Sequence, residues 1–221
     1  MSEVDPLSVS RRDTVKPRKP QRENGRKKYE KLLDTLESLL LDKEASEITL
    51  ADLSEAAGVP TASVYHFFPN RDACLAALAE RYFNDPAEQL EFFPVSNEWA
   101  GWQDMVETFC DRARAFFEAN EAIKKVKLGP KASWAVRELA QENNRRLAQS
   151  LQTALAHRFE LPPSGEWEQR FLLAITINDA LWSLSYTRFG RITDEIAAEA
   201  KRAATAYLRL YLSESPLRRA P

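Results

Sequence analysis

Cysteine, histidine and glycine are scarce in this chain: two, two and six residues among 221. Scarce glycine and few β-branched alternations argue against a sheet. Two cysteines, Cys74 and Cys110, do not make a disulfide framework. Each reads first as a small buried hydrophobe, and second as half of a redox-sensing pair. His66 and His157 stand far apart, and no CxxC, HExxH, P-loop or GxSxG pattern occurs. Enzymatic chemistry therefore has little support, and no catalytic residue, metal or cofactor is expected. No apolar run reaches about 18 residues, so no membrane helix is expected. The polar N-terminus has no apolar signal core, which predicts a cytoplasmic protein. The net charge of −2 does not by itself suggest nucleic acid.

What is present is hydrophobic content of 44%, with five tryptophans, patterned at helical spacing. The expected fold is all-α, with about nine helices: a three-helix head followed by a helical body. Charge is unevenly spread. Between Ser10 and Lys31 lie ten basic residues and three acids, in a chain that is otherwise acidic. Such an arm suits phosphates or a minor groove, although a solvated tail gives the same composition. Residues 1 to about 20 are expected to be mobile when free.

The stretch 49–75, TLADLSEAAGVPTASVYHFFPNRDACL, organises the rest. Thr49 is a candidate N-cap, with Asp52 as the return acceptor of a capping box. Leu50, Leu53 and Ala57 give one apolar face. Gly58 supplies a left-handed stop, and Pro60 suits the start of a second helix, 61–67. Val64 and Phe67 face inward there, which leaves Thr61, Ala62, Ser63, Tyr65 and His66 outside. Asn70 can cap a helix from Arg71 to about 85. Two short helices joined through a glycine form a helix-turn-helix. A plain helical corner has the same geometry, but small polar groups on the outer face fit a DNA major groove.

The run A57-G58-V59-P60-T61-A62-S63-V64-Y65-H66-F67-F68-P69-N70-R71-D72 resembles the helix-turn-helix signature of the tetracycline-repressor (TetR) family of bacterial regulators. The resemblance covers about residues 25–75; the rest matches in length and helical character. Pro60 stands where the family usually has Ser, which passes the cap to Thr61. Ala62 replaces a frequent Gly, Phe67 a frequent His or Tyr, and Arg71 a frequent Lys. The resemblance implies that Arg22, Arg26, Lys27, Lys28, Thr49, Tyr65 and Arg71 approach the DNA backbone. It also implies that Thr61, Ala62, Ser63 and His66 read bases.

Along the chain the expected units are an arm 1–21, a head 22–75, a regulatory and dimerisation body 76–215 and a tail 216–221. A helix is expected over 22–42, with Tyr29, Leu32, Leu33, Leu36, Leu39 and Leu40 as its stripe. A break flanked by Pro86 and Pro94 follows the fourth helix. Body helices are expected over about 99–119, 121–128, 132–159, 166–189 and 193–212. The last two carry broad apolar bands that include Phe171, Ile175, Trp182, Ala200, Ala203, Tyr207 and Tyr211. These suggest a homodimer interface, and a monomer core is the alternative. In the family such a pair of helices builds a four-helix dimer bundle. Two-fold symmetry would set two recognition helices about 34–36 Å apart on a palindromic double-stranded operator.

Trp102, Phe109, Phe116, Phe117 and Trp134 could line a cavity for a small apolar or aromatic effector, though such spacing also fits plain core. Asn178 and Asp179 interrupt an apolar run, FLLAITINDALW, and need partners. A ligand, a symmetry mate or a neighbouring helix could supply them. The favoured function is a dimeric regulator, a repressor released by a small molecule. The competing readings are control by a protein partner or without ligand, and a ligand carrier with a vestigial head.

Overall fold

The computed structural model describes residues 16–85, 99–163, 165–214 and 216–217. Among the described residues there are nine helices and no strand, so the fold is all-α as the pattern predicts. They are α1 (Glu23–Asp42), α2 (Leu50–Ala57), α3 (Thr61–Phe67), α4 (Arg71–Phe83), α5 (Trp102–Ala119), α6 (Glu121–Leu128), α7 (Trp134–Arg158), α8 (Trp167–Phe189) and α9 (Asp194–Arg209). Arm residues 1–15, the expected break over 86–96 and most of the tail lie outside the described residues.

Tyr29, Leu32, Leu33, Leu36 and Leu40 are the buried stripe of α1. Phe67 and Phe68 close on Tyr29 at ring-centroid distances of 5.7 and 5.0 Å, which seats α3 against α1. Helix α4 is different: Ala73 through Ala79 are all buried. A helix apolar on every side belongs inside a molecule. It packs on α1, α6 and α7 and so joins the head to the body without a loose hinge.

Some details differ from expectation: α9, for one, ends at Arg209 rather than near 212. Helix α5 begins at Trp102, not near 99, because the Asp104 carboxylate accepts the Ala100 N–H at 2.8 Å and fixes the start there. Trp102 is buried and donates through Nε1 to the Ser213 carbonyl at 2.8 Å, so it fastens the chain beyond α9. Residues 16–21 are held rather than loose. The Arg18 N–H donates to the Phe67 carbonyl at 2.8 Å, and the Lys19 ammonium meets Glu80 at 2.6 Å.

Cys74 and Cys110 are both free and buried. Burial pushes the Cys110 thiol up to about 12 and raises the Cys74 thiol as well. The thiolate that redox chemistry needs is scarce at both, which favours the packing role.

Candidate DNA-reading head and effector cavity

The capping box forms as the sequence predicts. Asp52 N–H donates to Thr49 Oγ1 at 3.1 Å, and Thr49 N–H and Oγ1–H each donate to Asp52 Oδ2 at 2.8 Å. Gly58 ends α2 at φ 60, a left-handed value that an L side chain adopts only under strain. Asn70 caps α4 by accepting the Ala73 N–H at 2.8 Å.

These caps are testable. Thr49→Ala is expected to cost about 1 kcal/mol in urea unfolding. The donors from Thr49 hold the Asp52 carboxyl below its usual value. Its contribution is therefore full above the unfolded carboxylate pKa of about 4 and fades as pH falls through the lower folded value. Wild type and Asp52→Ala should converge in stability below that range.

The start of α3 departs from expectation. The cap does not pass to Thr61. Pro60 is the N-cap and has no side-chain bond, while its carbonyl accepts the Ser63 and Val64 N–H groups at 2.8 and 3.2 Å. The Thr61 hydroxyl instead lies 2.9 Å from Ser54 Oγ. Ser54 Oγ donates to the Val59 carbonyl at 2.8 Å, so Thr61 supplies the proton between the two hydroxyls and keeps its acceptor side for other contacts.

Thr61, Ala62, Tyr65 and His66 are exposed and Ser63 is half-buried. Ala62, Ser63 and His66 share a shallow concavity of about 310 Å³ with Asn24, Gly25 and Lys28 of α1. The predicted base-reading face thus adjoins a predicted phosphate-contacting lysine. Arg22, Arg26 and Lys27 are exposed nearby; Arg26 donates to the Gln21 carbonyl at 3.0 Å and Lys27 meets Glu23 at 3.0 Å. Arg71 donates to the Ser46 carbonyl at 2.8 Å, so part of its guanidinium steadies the α1–α2 loop.

A narrow cavity of about 30 Å³ lies in the body between α4, α5, α6, α7 and α8. Of the predicted lining residues, Phe109, Phe116, Phe117, Asn178 and Asp179 are there. Trp134 is not: it stands 70% exposed at the start of α7. Trp102 is also absent from the wall, being committed to the Ser213 carbonyl. Ile175 and Trp182, expected at a dimer interface, line the cavity instead. Phe171 and Ala200 are likewise fully buried within the protomer. Their helices are apolar on more than one face; in α8 Phe171, Ile175 and Trp182 took the inner one, and in α9 Ala197, Ala200 and Ala204 did. Ala203 and Tyr207 are half-buried and Tyr211 is exposed.

Sequence reasoning missed Tyr82, Lys127, Asn143 and Asn144. Asn144 was detectable, because it falls four residues after Ala140 and three before Leu147 in the buried stripe of α7. Lys127 is a cation at a mostly buried site, 2.9 Å from Asp179 Oδ2, which also accepts from Asn144 Nδ2 at 2.7 Å. The partner that Asp179 needs is thus on neighbouring helices. Asn178 Oδ1, Asn144 Oδ1 and Trp182 Nε1 are buried without a hydrogen-bond partner.

Two helices touch both this cavity and the head. Tyr82 of α4 meets Phe116 edge to face at 6.2 Å and donates its hydroxyl to Glu37 of α1. Beside it Arg81 pairs with Glu37 and, at 2.6 Å, with Asp34. On α6, Lys127 enters the cavity while Lys125 donates to the Leu41 and Lys43 carbonyls at 3.2 and 3.3 Å. A cation there suits the negative end of the α1 dipole.

Residues 100–212, half of the chain, match the profile described as "Tetracyclin repressor-like, C-terminal domain", and residues 32–78 match "Bacterial regulatory proteins, tetR family". The chain belongs to the TetR family. Membership in this family of bacterial regulatory proteins, with its fold and domains, points to DNA-binding regulation of transcription rather than to catalysis. It is 30% identical over 77 residues to the HTH-type transcriptional regulator EthR of Mycobacterium tuberculosis, covering 35% of this chain and 36% of that one. The match thus spans about a third of the length of that curated relative. Two solved TetR-family regulators share the fold. One, from Streptomyces coelicolor, has a TM-score of 0.62 at 22% identity, covering 84% of this chain and 99% of that one. The other, from Rhodococcus sp. RHA1, has a TM-score of 0.61 at 17% identity, covering 84% and 98%. Among the described residues of this TetR-family chain, no helix is long and apolar enough to cross a membrane.

Proposed function

We propose that this regulator is a homodimeric repressor of a palindromic operator, released when a small aromatic molecule enters the body cavity. In this reading residues 22–75 read DNA and 76–215 sense and dimerise. The observation that carries it is that α4 and α6 each touch both the cavity and the head. At about 30 Å³ the cavity has room for a water or two, not for a ring. A ligand therefore enters only by moving walls, and Tyr82 and Lys127 belong to those walls. Displacing Tyr82 pulls on Glu37, and shifting α6 pulls Lys125 from the end of α1. The ligand has different contacts in the two states, as release requires.

The dimer reading rests on α8 and α9. Leu173, Thr176, Ala180 and Leu184 form one exposed, uncharged stripe on α8. Ala206 is exposed on α9, which packs beside it, and so is Leu210 just past the end of α9. A second copy would cover this face, in place of the buried residues expected from sequence. The small cavity also favours a second reading, in which DNA binding answers to no small molecule.

The test is selection of genomic DNA by the purified protein, followed by gel-shift titration of the best site. A palindromic site is expected, with Tyr65→Ala weakening it on the order of tenfold. Binding that ignores sequence in the wild type overturns the reading.

A further inference from the structure

The polar residues of the cavity wall specify its guest. Three buried polar atoms of lining residues have no partner: Asn144 Oδ1, Asn178 Oδ1 and Trp182 Nε1. They belong to one neighbourhood. Asn178 and Trp182 are four residues apart on α8 and share a face. Asn144 reaches across from α7 to Asp179, the residue after Asn178. The orientation of the Asn144 amide is fixed, because its Nδ2 donates to the Asp179 carboxylate and its Oδ1 is the atom left over. The unmet chemistry is thus two acceptors and one donor. Leaving such atoms dry is unfavourable, and buried groups of this kind are normally satisfied.

The charges, by contrast, are already matched. Lys127 and Asp179 pair at 2.9 Å, so an ionic guest would bring an uncompensated charge into a mostly buried site. Rings set edge to face make up much of the same wall: Phe116 on Phe117 at 5.3 Å and Phe117 on Trp182 at 5.9 Å. An aromatic guest continues that arrangement.

We propose that the effector is an uncharged aromatic molecule bearing a group that both donates and accepts hydrogen bonds, such as a hydroxyl or a carboxamide. The two N–H bonds of a carboxamide donate to Asn144 and Asn178, a hydroxyl donates to one of them, and Trp182 donates to the oxygen of either group. The proposal rests on reading this cavity as the effector site. A bound water satisfies the same atoms and is the competing occupant.

Calorimetric titration of the full-length protein without DNA, using phenol, benzamide, toluene, benzoate and benzylammonium, tests it. Phenol and benzamide should bind on the order of tenfold tighter than toluene, the worth of about one hydrogen bond. The two ions should bind no better than toluene. Asn178→Leu, which removes an atom with no protein partner, should bring benzamide and toluene close to parity. Trp182→Phe keeps a ring in the wall and removes only the donor, so it should narrow the same gap. Absence of binding by every probe, tightest binding by an ion, or a benzamide preference that survives both variants overturns the proposal. Because no DNA is present, these outcomes are independent of release. Probes that bind as expected but leave operator occupancy unchanged would sink the release mechanism alone.

Discussion

Lys127→Met is expected to lower the free energy of unfolding by about 3 kcal/mol, because it strands Asp179 in a mostly buried site. The Lys127 side chain is 9% exposed and that of Asp179 18%. Among the described residues Asp179 would keep the Asn144 amide as a partner but no cation. The Lys127 ammonium also lies 4.9 Å from the centre of the Phe117 ring, a contact that a thioether replaces weakly. The double variant Lys127→Met, Asp179→Leu should recover most of the loss, since a buried ion pair often does little better than apolar residues of similar volume. Urea titrations of the three proteins decide this. A single-variant loss below about 1 kcal/mol would place the pair with exposed salt bridges instead.

Removal of residues 1–20 should flatten the salt dependence of operator binding. The segment carries Arg11, Arg12, Lys16, Arg18 and Lys19. Each cation placed on a phosphate adds about 0.9 to the slope of log affinity against log salt, so up to about 4.5 would disappear. Over a fourfold change in salt, that slope amounts to roughly a few hundredfold in affinity. Part of the effect would be structural. Truncation also removes the Arg18 donor from the end of α3 and leaves Glu80 without Lys19. Lys19→Gln separates the two contributions, since it breaks the Glu80 pair and leaves the other arm cations in place. An unchanged slope in the truncated protein would return the arm to a solvated tail.

The helix-turn-helix was legible because its signals are local. Thr49 with Asp52, Gly58 and Asn70 each act within a few residues of chain, and each does what its chemistry requires. The failure within it was equally local: Ser54, seven residues back, took the Thr61 hydroxyl that might have capped α3. The body was harder. In α8, leucines face solvent at 173 and 184 while Phe171, Ile175 and Trp182 face inward, and hydrophobicity alone does not rank the two sides. Trp134 shows the same limit, as a large ring at the exposed start of α7. Lys127 was invisible for another reason. Three lysines crowd the short helix EAIKKVKL, and only the packing tells which one enters the cavity, which caps α1 and which pairs with Glu121.

The narrowness of the cavity has a consequence in time. A molecule that uses it cannot simply diffuse in; it waits for the rings of α4 and α5 to part. Once that opening is the slow event, a higher dose no longer quickens the response. Under the proposed release mechanism the regulator would then answer at a rate set by its own breathing and let brief pulses of effector pass without leaving DNA.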